Sequence, residues 1–200
     1  MKTKKSHRSV GLNKHWIAGK AMRKSIGLAL SGLLLAGAVQ AAPLKIDPKR
    51  SRIQVDAKAT GHAFTGTLED YEAKVDGDVS TLLPQSFVLK WTFDDLKTGE
   101  ADRDQEMLKW LGSAKPAGSF RFTKTWEKDG KHFAMGNLTI HGVSKAIAFP
   151  YTVEKDGEWV TIDGAVQLDY TDFSLPIVRS MAIMTVKPEL KVRFHLVGKL

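Results

Sequence analysis

Catalysis and metal binding both need side chains that converge, and this chain offers few sets able to do so. Four histidines lie beyond residue 41, at His62, His132, His141 and His195. None is paired at the i, i+2 spacing that would put two imidazoles on one face of a strand. Asp94 and Asp95 are adjacent carboxylates of the kind a hydrolase uses, but neighbours on a continuing strand point to opposite faces. The triplet Asp102-Arg103-Asp104 reads as local electrostatics, with Asp102 a helix cap and Arg103 with Asp104 an ion pair. The chain contains no G-x-S-x-G elbow, H-E-x-x-H pair, Gly-rich phosphate loop or calcium loop. With no cysteine, neither a disulfide framework nor a thiolate metal site can be built. The expectation is a binding protein rather than an enzyme, with no metal and no organic cofactor.

What the remaining sequence supplies is apolar bulk at period two, the spacing of half-buried strands. Ile53, Val55, Ala57 and Ala59 alternate with Arg52, Gln54, Asp56 and Lys58, and the pattern recurs eight or nine times as far as Leu200. Asp129-Gly130 and Asp156-Gly157 are hairpin signals, and Asp76-Gly77-Asp78 reads as a bulge. One segment differs. Ala101 to Leu111 has the spacing of a short helix, with Asp102 and Gln105 as a capping box and Gly112 as its stop. Many hairpin-connected strands with one inserted helix predict an all-β fold, either a closed antiparallel barrel or a two-sheet sandwich. On the inward parity stand Phe64, Phe87, Leu89, Trp91 and Phe93, then Phe120, Phe122, Phe149 and Tyr151. These are either a packed core or the lining of an apolar cavity. Small residues on the same parity, Ala57, Ala59, Gly66, Ala73 and Gly77, favour leaving space.

The amino terminus explains the charge. Eight basic residues precede an uncharged run from Ile26 to Val39, and Val39-Gln40-Ala41 has the form of a cleavage site. The run is short of the ~20 residues that span a bilayer, so residues 1–41 read as a cleaved export signal and 42–200 as one mature domain. All 22 acidic residues and 22 of the 30 basic ones fall in 42–200. The mature part is formally neutral, which removes the electrostatic footprint of a nucleic-acid partner.

Several segments together resemble the YceI-like family of lipocalin-like, polyisoprenoid-binding periplasmic proteins. They are Ile46-Asp47-Pro48 with Ser51-Arg52-Ile53, Thr98-Gly99 with Arg103-Asp104 and Leu108, and Pro116 with Ser119-Phe120-Arg121-Phe122. The most specific is Gly136-Asn137-Leu138-Thr139-Ile140-His141-Gly142-Val143-Ser144-Lys145. The resemblance implies an eight-stranded antiparallel lipocalin-like barrel with one short inserted helix. It also implies a periplasmic location and a lumen that carries a long-chain isoprenoid or similar amphiphilic lipid. The inward residues above, together with Leu108, are then the expected lumen, and Arg103, Asp104 and His141 the candidate head-group contacts. Where the family often has Arg-x-Asp-Phe-Gly, this chain reads Tyr170-Thr171-Asp172-Phe173-Ser174, losing an arginine and a glycine. Met181, Ile183 and Met184 mark a candidate lid, edge cover or dimer contact, and transient contact with a membrane or membrane protein would accompany delivery. Two other readings stay open. One is a redox or enzymatic accessory acting on a prenyl quinone through His132 or His141; the other is a solid-core exported stress or interaction protein.

Overall fold

In the computed structural model, which describes residues 41–112, 116–180 and 184–200, the alternating segments are the staves of a barrel. The chain runs β1 (Ala41–Ile46), β2 (Arg52–Ala59), β3 (His62–Leu68), β4 (Glu72–Asp78), β5 (Pro84–Thr92) and β6 (Leu96–Lys97). Helix α1 (Ala101–Leu111) follows, then β7 (Ala117–Lys128), β8 (Lys131–Ile140), β9 (Val143–Asp156) and β10 (Trp159–Asp169). Two short strands, β11 (Arg179–Ser180) and β12 (Met184–Thr185), precede β13 (Glu189–Lys199). The registers of β1 on β4 and β2 on β3 show that β1 with β2 is one bent stave and β3 with β4 another. β5 and β6 make a third, broken by the 3-10 turn Phe93–Asp95. With β7, β8, β9, β10 and β13 this gives an eight-stave antiparallel meander. It closes where the first stave pairs with the last, Ile46 opposite Gly198 and Ile53 opposite Phe194. The sandwich alternative is thereby excluded.

The family-like motifs prove to be joints of this frame. Asp47 to Arg50 form the bend between β1 and β2, where Asp47 N–H donates to Val197 O at 2.8 Å. Beside them the buried Ser51 hydroxyl donates to Asp47 O at 2.7 Å and accepts from Val197 N–H at 2.9 Å. His141 and Gly142 are the two central residues of the β8–β9 hairpin, with φ of 51° and 76°. A two-residue turn with both φ positive matches the twist of its strands, and Asp129-Gly130 is built the same way. The bulge expected near Gly77 falls between Asp76 and Gly77.

Helix α1 spans the residues the sequence predicts and stops at Gly112 in the left-handed region, φ 67°. Its start differs. The N-cap is Glu100, without a side-chain cap bond, and Asp102 lies in the first turn rather than capping. Nor do Arg103 and Asp104 pair. Asp104 Oδ1 accepts from the Thr98 N–H at 3.0 Å and its hydroxyl at 2.6 Å, bracing the loop into the helix. Asp94 and Asp95 fall on the 3-10 turn, where Asp95 accepts from the Thr92 hydroxyl at 2.6 Å.

Three inward aromatics owe their orientation to glycines on the next stave. A Cβ on Gly118, Gly136 or Gly164 would stand 2.2 Å from a ring carbon of Trp91, Phe120 or Phe194 respectively. The rings therefore lean on bare backbone, the way an aromatic covers a strand glycine.

Candidate functional site

The lumen is not filled. At the end capped by α1, a cavity of about 470 Å³ runs among β2, β3, β5, β7, β8, β9, β10 and β13. Apolar side chains make most of its wall, and Ala57, Ala59 and Gly66 supply the room on the β2–β3 side. The helix contributes Arg103, Met107, Trp110 and Leu111, the i, i+4, i+7, i+8 stripe of one face, with Asp102 and Glu106 along its edge. At the opposite end of the lumen a second, smaller void of about 60 Å³ lies among Leu44, Val75, Phe122, Tyr151 and Val160.

The polar atoms of Trp110 and Tyr170 in the lining are engaged in the roof, and the other polar side chains come from β3 and the segment 98–106, which form the mouth of the large cavity. These side chains are His62, Thr98, Glu100, Asp102, Arg103 and Glu106. The Arg103 guanidinium lies over the Phe64 ring, 4.4 Å from its centroid, so the cation is held against apolar surface rather than in bulk water.

The rest of the roof is the segment after β10. The Trp110 indole donates to Pro176 O at 3.0 Å and its ring meets Tyr170 edge-on at 5.3 Å. The buried Tyr170 hydroxyl donates to Val186 O at 2.8 Å and accepts from Val178 N–H at 3.1 Å. Lys187 N–H donates to Lys58 O and Thr60 N–H to Thr185 O, which ties the roof to the β2–β3 hairpin. Burial, above all, holds the Tyr170 hydroxyl above its ordinary titration range. Because the folded state favours the protonated phenol, its contribution to stability is complete below the ordinary value near 10 and disappears as pH climbs through the raised one. Tyr170→Phe leaves Val178 N–H unpaired and is expected to cost about 1–3 kcal/mol. In a chemical-denaturation series the loss relative to wild type should shrink at strongly alkaline pH.

The departure at Tyr170 to Ser174 is now intelligible. Tyr170 stands in the 3-10 turn Tyr170–Phe173 and pins the roof, while Ser174 takes a left-handed conformation, φ 60°, which glycine adopts without strain. A Cβ is disfavoured there by about 1–2 kcal/mol, part of which glycine returns through its freer unfolded chain. Ser174→Gly should therefore stabilise the protein by about 0.5–1 kcal/mol in thermal or denaturant unfolding.

Of the expected lumen residues, Phe64, Phe87, Leu89, Trp91, Phe93, Phe120 and Phe149 line the large cavity. Phe93 reaches it from the 3-10 turn rather than from a strand. Phe122 and Tyr151 line the small void alone. Leu108 lines neither, because it sits off the 103–107–110–111 stripe of its helix. Of the expected head-group contacts, Arg103 stands at the mouth. Asp104 is engaged with Thr98, and His141 is exposed in its hairpin turn; neither belongs to the lining. His132 packs against Tyr151, 5.7 Å between ring centroids, away from the large cavity, so neither histidine of the quinone-chemistry reading reaches it. His195 accompanies Asp163 on the exposed outer wall at 2.7 Å. Sequence reasoning passed over His62 at the mouth and the roof residues Leu175, Val178 and Val186. His62 carried a signal, as the first residue of a strand entering from a tight turn. Among the described residues, no group of three or more His, Asp or Glu side chains is placed to hold a metal ion. Met181 and Ile183 lie outside the described residues, as do residues 1–40, so the proposed signal is represented only by Ala41, where β1 begins.

An eight-strand closed barrel with an apolar interior and a polar mouth is lipocalin-like in architecture. The YceI-like domain model matches residues 44–198, and the chain belongs to that family. A UPF0312 protein of Vibrio parahaemolyticus is 27% identical over 186 residues, covering 83% of this chain and 96% of that protein. One from Pseudomonas savastanoi pv. phaseolicola is 30% identical over 171 residues, covering 77% and 88%. Among solved structures, Burkholderia cenocepacia BcnA superposes with a TM-score of 0.66 at 20% identity, over 78% of this chain and 100% of that one. The Campylobacter jejuni YCEI protein gives 0.58 at 19% identity, over 68% and 84%.

Proposed function

We propose that the protein is an exported, non-catalytic carrier that holds the apolar chain of an isoprenoid or similar amphiphilic lipid inside its barrel. The observation that carries this reading is the roofed, apolar cavity of about 470 Å³ whose charged side chains all come from one segment, Glu100 to Glu106, at its mouth. Such a shape suits a molecule with one long apolar part and one polar end. Burying a dozen methylenes at about 0.8 kcal/mol each supplies about 10 kcal/mol, before the cost of immobilising the chain is deducted. No fixed charge deep in the lumen is needed. The basic, then apolar, amino terminus supports delivery out of the cytoplasm to the periplasm, where a neutral protein in water would shield a membrane-derived chain. The unfilled lumen weighs against a solid-core interaction protein.

Native mass spectrometry of protein isolated from its own host, before and after gentle organic extraction, tests the reading. Release of a prenyl or acyl lipid, and its recovery on re-addition, is the expected result. Protein that carries no lipid and takes up none would sink it.

A further inference from the structure

The two voids share five lining residues: Phe87, Phe120, Phe149, Phe194 and Leu196. The four rings contact one another in sequence, Phe87 to Phe120 at 5.7 Å, Phe120 to Phe149 at 5.7 Å and Phe149 to Phe194 at 5.4 Å between centroids. They come from β5, β7, β9 and β13, so the row crosses the lumen from one wall to another and separates the large cavity from the small one. Phe120 and Phe149 are buried, and Leu196 is among the most deeply buried side chains. The outer sides of the row are fixed too. Phe120 leans on the backbone at Gly136 and Phe194 on that at Gly164.

From this we infer that the phenylalanine row is a floor that limits the length of apolar chain the lumen accepts, making these four side chains determinants of cargo size. The inference rests on the carrier reading and adds a limit to it. A chain entering at the mouth ends against rings already in van der Waals contact, where close packing leaves no volume for further atoms. An apolar cavity of about 150 Å³ holds benzene, so the space above the floor takes roughly 20 carbons on the same scale. Below the floor, the void of about 60 Å³ is too small for another five-carbon unit.

The test is a ladder of prenyl alcohols from 10 to about 35 carbons, in five-carbon steps, competing with a fluorescent fatty probe on the purified protein. In the wild type, affinity should rise at least tenfold per step and go flat beyond about 20 carbons. Phe194→Ala removes one ring and joins the voids, and the plateau should move out by one step. Phe87→Ala, on the other side of the row, provides a second opening should the first variant fail to fold. Phe122→Ala, which enlarges the lower void alone, should leave the plateau in place. A wild-type affinity that keeps climbing to the end of the ladder, or a plateau unmoved in a folded opening variant, overturns the floor while leaving the carrier reading intact. Failure of every alcohol to displace the probe or to bind directly overturns both.

Discussion

Ala57→Phe is expected to reduce lipid uptake at least a hundredfold while leaving the barrel folded. Ala57 is buried on β2 and its methyl faces the large cavity, so a ring placed there occupies space now available to cargo. A benzene-sized group needs about 150 Å³, about a third of the volume present. Several methylenes of a bound chain are thereby displaced, each costing about 0.8 kcal/mol. The protein itself should be no less stable, since the added ring buries apolar surface in a void instead of overpacking a filled core. Retention of a C20 prenyl alcohol, measured beside the thermal midpoint, separates the two effects. Undiminished binding by a folded variant would place the cargo elsewhere.

The second large effect concerns charge at the mouth. Glu100, Asp102 and Glu106 stand there with Arg103, so three carboxylates accompany one guanidinium. A head group arriving at that rim meets a net negative field, partly screened by water and salt. On the carrier reading, a prenyl alcohol should be preferred over the corresponding prenyl phosphate by about tenfold at low ionic strength, and the gap should narrow in 0.5 M salt. Glu100→Gln with Asp102→Asn should remove most of it. These two substitutions leave the apolar walls untouched, so alcohol affinity serves as the internal control. A preference for the phosphate would show that Arg103 governs the mouth.

Fold and site were legible to different depths, for identifiable reasons. Alternation marked the walls because one residue in two faces inward. The sequence motifs marked the joints: Asp47 to Ser51 at a bend, Thr98 with Asp104 at a brace, His141-Gly142 at a turn. Those motifs are therefore records of architecture, which is why, of the residues read as ligand contacts, Asp104 is engaged by Thr98 and His141 stands exposed in a turn. Depth along the lumen was not legible. Parity places Phe122 and Tyr151 inside but cannot say that they lie beneath the phenylalanine row, since that depends on stave register and on the irregularity between Phe122 and Lys124. Leu108 failed for a helical reason: one residue of phase, about 100°, separates it from Met107 on the cavity face. The roof was hidden because Leu175 and Val186 come from an irregular segment without a period to read, and Tyr170, which continues the alternation of Val166 and Leu168, falls instead in a 3-10 turn.

The seam of the barrel has a consequence for how the protein is made. Its first stave is completed only by its last: the Ser51 hydroxyl binds the backbone at Val197, 146 residues away, on β13. Contacts of such sequence separation form slowly, because the loop between them must be ordered before they reward it. A chain emerging amino end first can pair that stave with the second as soon as both are made, but its other edge waits for β13. On the exported-carrier reading, such late closure would suit a polypeptide that crosses a membrane as an open thread, since the seam cannot form before β13 is available.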